Sequence, residues 1–142
     1  MTDERGRIDG LASVLVWTEA ARFPAMLAFY RDTLGLKYLN EQPVGPGGVM
    51  HRLACGSSVI KLVVPDEPAP PTNPRGTRAQ TGIRYITILV SNLEELVQRC
   101  EDAGAEFHVP YKEFRPGSWY AQVYDPEGNV IALVQESAED EG

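Results

Sequence analysis

Two stretches of this chain carry the same punctuation, and that repetition limits the fold more than any single motif. An apolar strand pattern over 13–18 is followed by Met26, Leu27, Tyr30 and Leu34 at helical spacing, and then by Gly35. A second over 83–90 is followed by Leu93, Leu96, Val97 and Cys100 at the same spacing, and then by Gly104. A glycine just past a helix takes the left-handed conformation that side chains disfavour. Three strand patterns follow each glycine, over 37–41, 49–55 and 58–64 in the first half and over 105–109, 119–124 and 130–135 in the second. Gly56 stands before the last strand of one half and Gly128 before that of the other. Matching orders of this kind predict two tandem βαβββ modules.

The spacing predicts a first helix over 24–33, with Pro24 in its opening turn. Asn92 is the expected N-cap of the second helix, with Glu95 three residues on. Between the halves, Pro65, Pro68, Pro70, Pro71 and Pro74 interrupt any sheet ladder, so this stretch reads as an extended connector. The organisation expected is a single domain over 1–142: module one at 11–64, connector at 65–81, module two at 82–136 and an acidic tail at 137–142. The polar first ten residues and the tail read as frayed ends.

A chain of 142 residues can bury a sizeable core as one domain. Its net charge of −7 argues against a nucleic-acid partner, whose phosphates need Lys and Arg. The same charge suits a cationic small molecule, although simple solubility explains it as well. No apolar run reaches the ~18 residues of a membrane span, and Met-Thr-Asp-Glu-Arg lacks the apolar core of a signal peptide. Cys55 and Cys100 have no metal-type spacing and read as reduced, buried fillers, which points to the cytoplasm.

Near the C-terminus, Tyr124-Asp125-Pro126-Glu127-Gly128-Asn129-Val130 places a turn between two strands. Pro126 presets φ, while Gly128 and Asn129 tolerate positive φ. Together with Phe29-Tyr30-Arg31-Asp32-Thr33-Leu34-Gly35-Leu36, this turn resembles the glyoxalase/bleomycin-resistance/ring-cleaving dioxygenase superfamily, the vicinal oxygen chelate fold. The resemblance covers roughly residues 12–136. It implies an α+β fold in which two tandem βαβββ modules form a U-shaped mixed-sheet trough with helices outside. It also implies a homodimer whose interface shapes or completes that trough. Metal-using members place His, Glu or Gln at inward positions of four strands, and those positions fall on Ser13, Lys61, Tyr85 and Ala132 here. Ala132 has no donor and a protonated Lys61 repels a cation, so neither metal nor other cofactor is expected.

Alternation assigns the faces of the strands. Ile86, Ile88 and Val90 suit a helix, sending Tyr85, Thr87 and Leu89 into the trough. Ile131 and Leu133 go outward and Val130, Ala132 and Val134 inward; Ile60, Leu62 and Val64 go outward and Val59, Lys61 and Val63 inward. By analogy Val14, Val16 and Thr18 go outward and Ser13, Leu15 and Trp17 inward. The third strand is ambiguous, since either His51 and Leu53 or Met50 and Arg52 point in. Only one of Trp119 and Tyr120 can do so. The candidate ligand-binding residues are therefore Trp17, His51, Lys61, Tyr85, Thr87, Trp119 and Ala132. Core packing is the competing account of the aromatics, weaker for Tyr85 than for Trp17 and Trp119, and a partly exposed strand position is the plainer account of His108. Lys61 interrupts an aliphatic run, so it pairs with a carboxylate, snorkels to the rim or meets ligand.

An apolar, aromatic trough with few polar groups fits a small-molecule site. The function expected is metal-independent binding of a small aromatic or natural-product ligand, as antibiotic-resistance members of the family do. The alternative is a metal-free isomerase or cyclase using Lys61 and Tyr85; a metal-dependent lyase or dioxygenase fits less well. No catalytic residue is assigned. Gly45-Pro46-Gly47-Gly48 reads as a hairpin tip able to flap over the trough.

Overall fold

Each half folds around an edge strand whose alternate residues meet a helix. In the computed structural model, which describes residues 5–7, 13–45, 47–67, 69–70 and 73–137, β1 (Ser13–Trp17) pairs in parallel with β4 (Ser58–Pro65). β4 pairs antiparallel with β3 (Gly48–Cys55), and β3 with β2 (Lys37–Pro43), giving the order β1-β4-β3-β2. The second half repeats it as β5-β8-β7-β6, with β5 at Tyr85–Leu89, β6 at Phe107–Arg115, β7 at Ser118–Tyr124 and β8 at Val130–Gln135. The fold is α+β, built of two tandem modules with two four-stranded mixed sheets. Pro46, Pro68, Pro71 and the tail beyond residue 137, which figure in the hairpin-tip, connector and tail expectations, lie outside the described residues.

The first helix departs from its expected form. An α-helical turn, α1 (Phe23–Leu27), continues as a π-helix over Ala28–Thr33, whose wider hydrogen bonds include Leu34 N–H to the Phe29 carbonyl at 2.9 Å. Six residues of apolar spacing do not separate a 3.6-residue turn from this wider one. Its product is a buried face of Phe29, Tyr30 and Thr33. The second helix, α2 (Leu93–Asp102), forms without the expected cap. Asn92 sits at φ +52 and makes no side-chain capping bond; Gln135 Oε1, from the end of β8, accepts the Leu93 N–H at 2.7 Å. Glu95 pairs with Arg99 at 3.1 Å instead of closing a capping box.

Both modules share one core. Met26, Phe29, Tyr30 and Leu34 meet Leu93, Leu96, Val97 and Cys100, between Leu53, Ile60 and Leu62 of one sheet and Ala121, Val123, Ile131 and Leu133 of the other. Val16, Ile86, Ile88 and Val90 pack on its margin. Arg99 fastens the helices: its Nε donates to the Thr33 carbonyl at 2.6 Å and its NH2 to that of Leu34 at 3.3 Å. Cationic donors suit the carbonyls left open where a helix ends. Cys55 and Cys100 are unpaired, and burial pushes the Cys100 thiol up to about 11. β6 is longer than expected and runs through Pro110, which is accommodated because β6 is an edge strand with irregular register there.

Candidate ligand-binding cleft

The Asp125 turn sets the geometry where the modules meet. Asp125, 2% exposed, accepts from Tyr30 OH at 2.6 Å, from the Glu127 and Asn129 backbone amides at 2.9 Å each, and from Asn129 Nδ2 at 2.9 Å. Burial pushes this carboxyl up, and these hydrogen bonds oppose the push. Burial, and then the Asp125 charge, hold the Tyr30 phenol well above its ordinary range, so Tyr30 is the donor. The turn aims Glu127 at module one. Its carboxylate accepts from Thr18 Oγ1 at 2.6 Å, from Arg22 NH1 at 2.5 Å and from the Glu19 amide at 3.3 Å. Burial would raise Glu127, but the Thr18 and Arg22 hydrogen bonds with the Arg22 charge outweigh it and hold the carboxyl below its usual range. The connector is tied to the same turn: Asn73 Nδ2 donates to the Glu127 carbonyl at 3.2 Å, and the Arg75 guanidinium lies 4.2 Å over the Tyr124 ring while pairing with Glu106.

Next to this clasp lies a cleft of about 800 Å³, between the edge strands β1 and β5. Leu15 and Trp17 of β1 and Tyr85 of β5 line it, with Ile83, Arg84, Arg22 and Glu127. Trp17 is 53% exposed and Tyr85 48% exposed, a large uncovered aromatic surface for two neighbouring edges. Arg22 is neutralised by Glu19 and Glu127. Arg84 is not: its Nε is buried with no hydrogen-bond partner among the described residues.

The pairing registers place the expected site residues. Directly paired residues share a face, so Leu15 with Lys61 and Trp17 with the buried Val63 occupy the face of the first sheet turned away from the helices, hereafter its open face. Tyr85 with Val130 and Thr87 with Ala132 occupy that of the second. The cleft brings Trp17 and Tyr85 together. Lys61, Thr87 and Ala132 lie on the open faces away from its lining. Two expectations are corrected. Arg52 pairs with Lys61 and Met50 with Val63, so His51 and Leu53 face the helices. His51 stacks on Phe23 at 4.2 Å and bonds through Nδ1 to Tyr38 OH at 2.8 Å. Burial holds its pKa below the ordinary histidine value. Trp119 also faces the core, stacked on Tyr111 at 4.8 Å, because Ala121 and Val123 of its strand are core residues; Tyr120 takes the open face. Asp125, Glu127 and Arg84 were not read as site residues. The turn was legible, but the reach of Glu127 across 105 or more residues had no local signal.

A divalent transition metal needs imidazole, carboxylate or thiolate donors. At Ser13, Lys61, Tyr85 and Ala132 the side chains are a hydroxyl, an amine, a phenol and a methyl, a set that does not fit such an ion. Among the described residues, no three His, Cys, Asp or Glu gather where they could hold one. Among the same residues, no helix is long and apolar enough to cross a membrane.

Residues 20–133 match the Glyoxalase/Bleomycin resistance protein/Dioxygenase superfamily. A search of curated protein sequences found no match. Among solved structures, a putative glyoxalase family protein from Bacillus anthracis is 25% identical, with a TM-score of 0.68 over 94% of this chain and 99% of its own. A glyoxalase family protein from Bacillus cereus is 17% identical, with a TM-score of 0.78 over 96% of this chain and 100% of its own. The fosfomycin resistance protein FosX from Listeria monocytogenes, complexed with Mn(II) and 1S,2S-dihydroxypropylphosphonic acid as a single-site mutant, is 13% identical, with a TM-score of 0.72 over 95% of this chain and 98% of its own. The latter two likenesses show the fold alone.

Proposed function

The chain belongs to the Glyoxalase/Bleomycin resistance protein/Dioxygenase superfamily, and from that premise we propose that it is a metal-independent, cytoplasmic binding protein for a small aromatic or natural-product ligand. One observation carries the reading: Trp17 and Tyr85, on different modules, flank the same 800 Å³ cleft with about half of each side chain uncovered. A cleft of that size is in the range of small-molecule sites, and two aromatic walls suit a planar guest. The donor-poor set at Ser13, Lys61, Tyr85 and Ala132 supports metal independence. An isomerase or cyclase using Lys61 with Tyr85 has less support, since Lys61 does not line the cleft. Outside the aromatic walls, Ile83 and Leu89 leave further apolar surface exposed beside β5, which supports a homodimer that covers it.

The test is a thermal-shift screen of aromatic compounds, repeated on Trp17→Ala. A genuine ligand at a hundredfold excess over its Kd stabilises the protein by about 2.7 kcal/mol, is recovered unchanged, and loses its effect in the variant. Conversion of the compound moves the protein to the enzymes. Stoichiometric metal that resists dialysis removes the metal-independent reading, and a monomer in light scattering removes the dimer.

A further inference from the structure

We infer that the ligand is an organic anion, with its apolar body at the Trp17–Tyr85 cleft and its carboxylate or phosphonate head on a cation pair formed by Lys61 and Arg52. This inference deepens the proposed function and rests on it for the position of the body.

Arg52 of β3 and Lys61 of β4 are directly paired across the sheet, on the face that no helix covers. Both are partly buried. Like charges at directly opposed positions repel, and a carboxylate on a neighbouring strand would relieve them. Among the described residues, Arg52 bonds only to Asn40 Oδ1, at 3.4 Å, and Lys61 has neither hydrogen bond nor ion pair. Scarcity of acids is not the cause, because Asp and Glu outnumber Lys and Arg by 20 to 13. The cleft adds a further open donor: among the described residues Arg84 Nε is buried without a hydrogen-bond partner, while Arg22, also in the lining, holds two carboxylates.

The pair stands beside the cleft, outside its lining. Leu15, a lining residue, is the direct neighbour of Lys61, and Arg52 lies one strand further on. Strands are spaced about 4.8 Å apart, so the backbone positions of Lys61 and Arg52 stand roughly 5–10 Å from that of Leu15, the length of a small aryl acid. Three requirements thus meet on one surface: aromatic walls, an aliphatic bridge at Leu15, and two adjacent donors to a delocalised anion. A carboxylate or phosphonate head would accept from both cations and relieve their repulsion.

The experiment titrates 1-naphthoate, 1-naphthylphosphonate and neutral 1-naphthamide by calorimetry into the wild type, Lys61→Met, Arg52→Gln and the double variant. The expected result is that at least one anion binds about a hundredfold or more tightly than the amide, with naphthoate against naphthylphosphonate deciding the head group. Each single variant then cuts that preference about tenfold, the double variant erases it, and amide affinity stays unchanged. The double variant should melt no lower than the wild type, because it removes a repulsion. Equal binding of anions and amide overturns the anionic head and leaves the aromatic cleft standing. Loss of all three compounds removes both. A double variant that melts lower or loses its self-association also overturns the inference, since the cations would then be matched by carboxylates of a second copy.

Discussion

Between β3 and β4 the first module turns on Gly56 and Ser57, with Cys55 paired to Ser58. Between β7 and β8 the second module turns through residues 125–129, with Tyr124 paired to Val130. The short turn only reverses the chain. The long one encloses a buried carboxylate, receives Tyr30 of the other module and sends Glu127 back to Thr18 and Arg22. The open faces differ in the same way. Sheet one carries the Arg52–Lys61 pair there, and sheet two carries Tyr85, Tyr120 and the buried Val130 and Ala132. Repetition here extends to backbone order and core periodicity, while the residues that join the modules and line the cleft are specific to one half.

That asymmetry breaks most visibly at Asp125. In Asp125→Ala, Tyr30 OH and two backbone amides lose their acceptor where water does not reach easily, and a buried donor left unmade costs more than a bond contributes. The expected loss in a urea melt is about 3 kcal/mol or more, whereas Ser57→Ala at the equivalent turn should stay within about 0.5 kcal/mol. Similar losses at both turns would show that the long turn is no more than a reversal.

How far the sequence could be read follows from the same division. The helix-packed faces of β4, β5 and β8 were legible because aliphatics alternate there without interruption, and Ile60, Leu62, Ile131 and Leu133 do lie in the core. β3 was not, because Met50 and Arg52 on one parity and His51 and Leu53 on the other each mix apolar with polar. Only pairing with Lys61 and Val63 decides it. β7 held a usable signal: Ala121 and Val123 around Gln122 assign Trp119 to the core, which the prominence of the tryptophan obscured. Asn92 had the chemistry of a cap but took positive φ, and the capping oxygen comes from Gln135. The cleft itself arises from how two modules sit together, through contacts as distant in sequence as Arg99 with Thr33.

Arg99 offers a second way to separate local from inter-module stability. Arg99→Ala removes two hydrogen bonds to carbonyls at the end of the first helix and an exposed pairing with Glu95. The carbonyl bonds dominate, since exposed ion pairs contribute little. The expected destabilisation is about 1–2 kcal/mol. Glu95→Gln, which keeps the carbonyl bonds, should cost about 0.5 kcal/mol or less. Equal effects would mean that Arg99 stabilises its own helix rather than the junction.

Glu127 gives the smallest effect and the sharpest signature, because its contribution depends on pH. Its folded pKa is held below the ordinary glutamate value of 4.5. The folded state therefore binds its proton less readily than the unfolded chain, and stability rises with pH between the two values. The contribution is complete above about 4.5 and is lost as pH falls through the lowered folded pKa. Glu127→Gln keeps the size of the side chain but weakens the bonds from Thr18 and Arg22, at a cost of about 1 kcal/mol at neutral pH. Many other carboxylates titrate in the same window, so the informative quantity is the wild-type minus variant difference in urea melts from pH 7 to pH 3. That difference should be flat above about pH 5 and should shrink as pH falls below about 4.5. A difference that persists undiminished in acid would mean that the neutral side chain makes the clasp equally well. The attraction between modules would then owe nothing to the Glu127 charge.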